Sequence, residues 1–375
     1  MSEGERSGGA SGSRRRRQAA GTDVASLAGV SQKTVSRVIN GERYVKDEVR
    51  LRVLQAAQEL GYRRNNAARA LNSGRTQRIG LVSLGSALHG PASMLFELER
   101  AARSTGYSLS VVTTFEGDPA GVAGAIDSLL TEGVDGIVLS EPIDEGENVR
   151  IDIDLPVLSL GRFPGLAGPR IIITGSNGPE AGRIATEHLL SLGHRTVWHV
   201  AGPQRWWSAR DRLAGWRKAL NRAGAVEPPW IEGDWSPTSG YAAGSRLARN
   251  PDVTAIFVAN DDMAIGVMRA LAEAGRTVPD EVSVVGLDDI PAAAYHSPPL
   301  TTVRQDFGAL ARQGLERLVR QIEAPTDETP SMPQPPICLV VRQSASTPRH
   351  GPEVPRLPPD AGHGTPLPPH PRRAT

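Results

Sequence analysis

Apolar positions in the first part of the chain recur at helical spacing. Val24, Ala25, Leu27 and Ala28 follow Thr22 and Asp23, which can cap a short helix that Gly29 ends. After an apolar turn at Val30, Ser31 can cap a second helix, with Val35, Val38 and Ile39 facing inward and Gln32, Lys33, Ser36 and Arg37 facing out. Asn40-Gly41 stops it. A third helix begins near Asp47 and buries Val49, Val53, Ala56 or Ala57 and Leu60 before Gly61 closes it. From Ile79 onward the period changes. Short apolar runs at 79–82, 109–112, 137–139, 157–160, 171–173, 197–200, 255–258 and 282–285 alternate with helical patterns. This β-α rhythm predicts an α/β body of doubly wound parallel sheets, and its length of about 265 residues suggests two lobes. Ligands of such sheets bind at the carboxyl ends of the strands, so the cleft between lobes is the expected site.

The chain of 375 residues is 39% hydrophobic. No apolar run approaches the roughly 18 to 20 residues of a membrane-spanning helix. Arg14 to Arg17 have no apolar stretch behind them, so the pattern of a secretory signal is missing and a cytoplasmic protein is expected. A lone Cys338 excludes an intramolecular disulfide and a multi-thiolate metal cluster. The net charge of +1 hides an asymmetry: residues 1–78 hold 16 Lys and Arg against 7 Asp and Glu, and the remainder 26 against 34. A short basic end on a larger acidic body suits contact with a polyanion. Part of that basic charge belongs to the Gly/Ser-rich arm 1–20, read as disordered, where a solvated tail is the plainer account.

Two helices joined by a tight turn, the second opening with polar and basic residues, predict a helix-turn-helix. Outward positions early in the second helix reach base edges in a major groove, while Ser31, Thr34 and Tyr44 suit phosphate contacts. Enzyme signatures are weaker. Gly175 to Gly182 follows a strand and enters a helix, but its glycine spacing is not that of a dinucleotide loop, and a plain β-α turn capped by Asn177 or Ser176 accounts for it. No Walker A sequence occurs. His188, His194 and His199 match no metal-helix spacing and read as structural. Asp261-Asp262 and Asp288-Asp289 end strands where a carboxylate pair could do acid-base work. Without a nucleophile, metal set or phosphate loop they read as hydrogen-bond acceptors, so a non-enzyme with no metal and no cofactor is expected.

The run Thr22-Asp-Val-Ala-Ser-Leu-Ala-Gly-Val-Ser-Gln-Lys-Thr-Val-Ser-Arg-Val-Ile-Asn-Gly41 closely resembles the headpiece of the LacI family of bacterial transcription regulators, and the likeness extends over residues 21–343. It implies a helix-turn-helix headpiece on a two-lobed core like that of periplasmic binding proteins. It divides the chain into a basic arm (1–20), headpiece (21–63), hinge helix and linker (64–77), effector-binding and dimerisation core (78–343) and a disordered Pro-rich tail (344–375). The headpiece likeness gives Gln32, Lys33 and Arg37 the base-reading positions. The stretch 65–72, with Asn65, Ala68 and Leu71, matches the hinge helix, whose leucine would wedge into the operator's minor groove. Arg64 stands where the family usually has proline, which removes a rigid entry to that helix.

Several later stretches resemble galactoside-responsive members: 88–91, 208–216, 232–235, 258–261 and 298–307. The likeness places Arg212, Asn260 and Asp288 at polar effector contacts, joined by Ser208 and Gln305, with Trp235 offering a ring face and Leu88, Pro91 and Phe307 an apolar wall. Two departures bear on the ligand: Gly161 replaces an acid, and Trp206-Trp207 replaces smaller residues beside the pocket. The leucine-rich tetramerisation helix is absent, so a homodimer is expected. The implied function is a repressor whose affinity for double-stranded operator DNA falls when a galactoside-like sugar binds. A co-repressor ligand, a free sugar-binding protein and a sugar-processing enzyme are the alternatives.

Overall fold

The computed structural model describes residues 19–39, 44–62, 74–84, 88–115, 118, 121–140, 143–144, 151–163, 166–175, 177–325 and 335–349. The chain separates into two compact units, residues 1–76 and 77–375.

The first unit holds α1 (Gly21–Ala28), α2 (Gln32–Ile39) and α3 (Asp47–Glu59). Val24, Ala25, Ala28, Val35, Val38, Val53, Ala56 and Ala57 close on one another as its core. Gly29 ends α1 in the left-handed region at φ 66°, a conformation that glycine adopts without a Cβ penalty. Asp23 does not cap α1 from outside. It lies in the first turn and accepts a hydrogen bond from the Ala20 backbone N–H at 2.8 Å. Ser31 caps α2 as expected, its Oγ accepting from the Thr34 N–H at 3.1 Å. Leu60, expected inside, is 37% exposed at the C-cap of α3, and Tyr62 packs against the core beyond it.

The second unit carries two sheets. In the first lobe β1 (Arg78–Leu84), β2 (Ser108–Thr114), β3 (Gly136–Ser140), β5 (Val157–Leu160) and β7 (Ile171–Thr174) form a parallel sheet of order β2-β1-β3-β5-β7. The short β4 (Ile151–Asp152) and β6 (Leu166–Ala167) pair beside it. Helices α4 (His89–Ser104) and α5 (Gly121–Thr131) follow β1 and β2. The second lobe alternates α6 (Gly178–Ser191), β8 (Trp198–Ala201), α7 (Trp207–Ala223), β9 (Ile231–Glu232), α8 (Pro237–Leu247), β10 (Ala255–Val258), α9 (Asp261–Glu273), β11 (Ser283–Leu287) and β12 (Thr301–Arg304). Its sheet runs β13-β12-β11-β10-β8-β9, parallel except where β13 (Cys338–Val340) pairs antiparallel with β12. Between β12 and β13, α10 (Phe307–Glu323) returns to the first lobe, where Leu310, Leu315, Leu318 and Ile322 pack with Ile79, Val138 and Leu158. The doubly wound, two-lobed class predicted from the alternation is the observed one.

The tail boundary at residue 344 does not hold. Ser344 is fully buried: its Oγ accepts from Thr301 N–H at 2.8 Å and donates to the Val284 carbonyl at 2.6 Å. Ser346 N–H donates to Ser283 Oγ at 3.0 Å, and Arg349 pairs with Asp280. Hydroxyl and backbone hydrogen bonds, which leave no apolar signature, fasten 344–349 to β11. Residues 350–375 and the arm 1–18 lie outside the described residues.

Candidate functional site

The pocket is set by how closely α6 and α7 approach. A Cβ at Gly182 would run into the Arg212 carbonyl and one at Gly215 into the Pro179 carbonyl, so two bare positions let the helix backbones touch. That contact fixes the first turns of α7, where Ser208, Asp211 and Arg212 lie on one face at i, i+3 and i+4 spacing. Arg212 is buried. Its Nη1 donates to the Ala259 carbonyl, its guanidinium lies over the Trp235 ring at 5.1 Å, and its Nη2 is 3.7 Å from Asp288 Oδ1. Gln305 Nε2 donates to the same Asp288 oxygen at 2.7 Å. Burial pushes the Asp288 carboxyl above its ordinary range and the nearby Arg212 charge pulls it back.

Three non-glycine residues here take left-handed backbone conformations: Trp235 at φ 73°, Asp288 at φ 112° and Asp289 at φ 56°. Such strain costs on the order of 1–3 kcal/mol per residue and persists where surrounding bonds hold it. Those bonds are present. Asp289 receives Arg304 and Arg342, and buried Asp261 accepts from Ile290 N–H at 2.9 Å and Thr302 Oγ1 at 2.6 Å. Asn260 caps α9 by accepting from Met263 N–H and donates to the Trp235 carbonyl, each at 3.0 Å.

All nine expected effector residues, Leu88, Pro91, Ser208, Arg212, Trp235, Asn260, Asp288, Gln305 and Phe307, line one cleft between the lobes. It encloses about 870 Å³ including its open mouth. His89, Met94, Ser140, Leu160, Gly175, Asp211 and Leu310 line it as well, and periodicity gave no sign of them. Trp206 and Trp207, picked out in the sequence only as added bulk beside the pocket, are part of its lining, as is Gly161. The paired acids divide: Asp288 faces the cleft, Asp261 is sealed beneath it and Asp289 is held in ion pairs. One lip joins the lobes. Ile143 pairs antiparallel with Trp206, Asp144 N–H donates to the Arg205 carbonyl at 2.7 Å, and Arg210 Nη2 donates to Asp144 Oδ2 at 2.8 Å while stacking on Trp207 at 4.5 Å.

His194 and His199 are structural. His194 bonds Thr254 and Ser283 hydroxyls and the Ser346 carbonyl. His199 stacks between Phe257 and Trp216. Among the described residues no group of three or more His, Cys, Asp or Glu is placed to hold a metal ion, and no helix is long and apolar enough to cross a membrane.

In the first unit, α2 presents Gln32, Lys33, Ser36 and Arg37 as exposed, with Ser31 exposed and Thr34 half-buried at its start. Ser31 and Thr34 hydroxyls bond each other at 2.9 Å, and Tyr44 is fully exposed. Asn65, Ala68 and Leu71, with Arg64, lie outside the described residues.

A helix-turn-helix unit and a separate two-lobed body with a polar-aromatic cleft define a ligand-responsive DNA-binding regulator as the class. Known proteins agree. Residues 22–65 match the signature of bacterial regulatory proteins of the lacI family, and 186–345 a periplasmic binding protein-like domain. The lactose operon repressor of Escherichia coli (strain K12) is 35% identical over 80% of this chain and 83% of its own length. The HTH-type transcriptional repressor PurR of Pasteurella multocida (strain Pm70) is 33% identical over 87% of this chain and 98% of its own. A lac repressor dimer solved bound to operator and the anti-inducer ONPF matches with TM-score 0.73 and 32% identity, over 88% of this chain and all of that one. A complex of the regulator CelR with cellobiose matches with TM-score 0.64, also at 32% identity and over the same shares of the two chains. The chain belongs to the lacI family of bacterial regulatory proteins. It is a DNA-binding transcriptional repressor, not an enzyme.

Proposed function

We propose that this repressor is released from its operator by a neutral sugar of galactoside type held in the cleft. The observation that carries the reading is the Arg212–Asp288–Gln305 set beside Trp235. A carboxylate accepts and a guanidinium donates, so together they satisfy neighbouring ring hydroxyls, while an indole face covers the apolar side of a pyranose. Relatives named for lactose and solved with cellobiose support a sugar. PurR relatives of similar identity keep a purine as the rival ligand.

In this reading a homodimer places Gln32, Lys33 and Arg37 of each protomer in successive major grooves, with Ser31, Thr34 and Tyr44 on phosphates. The segment containing Asn65, Ala68 and Leu71 enters the minor groove between them. Sugar binding favours another lobe arrangement and loosens the hinge segments.

The test is fluorescence anisotropy of a duplex from the gene's own upstream region, at fixed salt, against lactose, methyl β-galactoside, cellobiose and hypoxanthine. Release by a galactoside is expected. Tighter binding on adding hypoxanthine, with no response to sugars, would establish the co-repressor reading instead.

A further inference from the structure

Asp211 lines the cleft but takes no part in the Arg212–Asp288–Gln305 set. It lies on the second turn of α7, half-buried, and has no hydrogen-bond or ion-pair partner among the described residues. A carboxylate can only accept, so this one, at the cleft wall with no donor from the described residues, is open to a ligand hydroxyl. Burial pushes its carboxyl up, and the charges that oppose this are Arg162 and Arg212. Asp288 shares the Arg212 charge but has its own donor in Gln305. The two carboxylates thus differ in their hydrogen-bond partners along one cleft wall.

Around Asp211 the lining is bare or aromatic. Gly161 and Gly175 expose backbone to the cleft, and Gly178 packs directly against the Asp211 Cβ. Gly161 takes φ 140°, a conformation that side-chain-bearing residues rarely adopt, so this stretch of wall is kept open by its backbone. Trp207 closes the space, held under the Arg210 and Arg162 guanidinium groups at 4.5 and 5.5 Å. Open room, a ring face and an acceptor without a donor form a second recognition zone beside the first. A carboxylate on this wall disfavours an anionic group placed directly against it.

Resting on the sugar reading above, we infer that Asp211 accepts a hydroxyl from a second ring of the effector, so that the cleft selects a neutral disaccharide over a simple monosaccharide glycoside or an acidic sugar. Its test is titration calorimetry on the full chain and on Asp211→Asn and Asp211→Ala. The probes are methyl β-galactoside, lactose, lactitol and lactobionate, with methyl β-glucoside and cellobiose as the epimeric series.

Lactose should bind the parent protein about tenfold or more tighter than methyl β-galactoside, the scale of one hydrogen bond to a charged group. Asp211→Ala should remove that advantage and leave the methyl glycoside within about twofold. Lactitol should outbind lactobionate, which differs from it by a carboxylate, and Asp211→Asn should narrow the gap. Equal losses on one-ring and two-ring probes, or no loss on either, would overturn the assignment of Asp211 while the sugar reading stands. Failure of every sugar to bind the parent protein would overturn both.

Discussion

Asp261 and His199 are sealed in the second lobe, and burial moves them in opposite directions. The Asp261 carboxyl is pushed up to about 7, and the His199 ring, whose Nδ1 donates to the Phe257 carbonyl at 2.9 Å, is pushed down to about 3. Between pH about 4 and 6.5 the folded chain holds a proton on Asp261 that the unfolded chain has lost, so this group makes stability fall as pH rises. Over the same range unfolded His199 is charged and folded His199 is not, so this group makes stability rise with pH. The two oppose each other. Relative to the parent protein, melting temperature should fall toward low pH in Asp261→Asn and rise toward low pH in His199→Phe. A thermal melt series at four pH values checks it, and parallel profiles for all three proteins would contradict it. The sequence showed Asp261 and Asp288 as equivalent acids at strand ends. Only tertiary packing separates an anchor from a pocket wall, because Gly286 leaves the room that the Asp261 carboxylate fills.

All eight expected apolar runs coincide with strands; β1, β3, β10 and β11 are buried almost throughout, whereas β2 and β7 keep Val111 and Ile173 exposed. β12, which opens Thr301-Thr302, carried no such run, the apolar stretch 337–341 that holds the edge strand β13 was passed over among the prolines before it, and 344–349 is attached through hydroxyls. The close packing of α6 on α7 was also hidden, since a glycine inside a helix reads only as a weak position. Gly215→Ala should therefore cost about 1–3 kcal/mol, because the added methyl meets backbone that cannot yield without shifting Arg212. Denaturant unfolding measures it, and a neutral effect would mean that the helices can separate freely. At the pocket lip, the Arg210–Asp144 pair has side chains 38% and 32% exposed, so solvent weakens it. A double-mutant cycle with Arg210→Ala and Asp144→Ala should give a coupling of only about 0.2–1 kcal/mol, the backbone bridge carrying the rest of the join. A coupling above that range would make the ion pair the principal tie between the lobes.

For the whole molecule, charge asymmetry and the headpiece pattern carried most of the functional reading, because a helix-turn-helix is local in sequence. The cleft is not local: its residues come from β-α turns spread between Leu88 and Phe307, and the family resemblance rather than periodicity drew nine of them together. In the DNA-reading role proposed for α2, Arg37→Ala should lose about 1–3 kcal/mol on the cognate operator with local relaxation of base preference. An equal loss on random duplex, measured by anisotropy at the same salt, would reduce Arg37 to a phosphate contact.

The central claim is that cleft and operator site are linked, and linkage is reciprocal. Three of the indoles, Trp206, Trp207 and Trp235, line the cleft and give it an intrinsic fluorescence signal. The most direct measurement is a lactose titration followed by that signal, with the protein free and then saturated with operator duplex, beside an operator titration with and without saturating lactose. Operator should weaken lactose binding by the same factor by which lactose weakens operator binding. Lactose affinity unchanged by operator would contradict it.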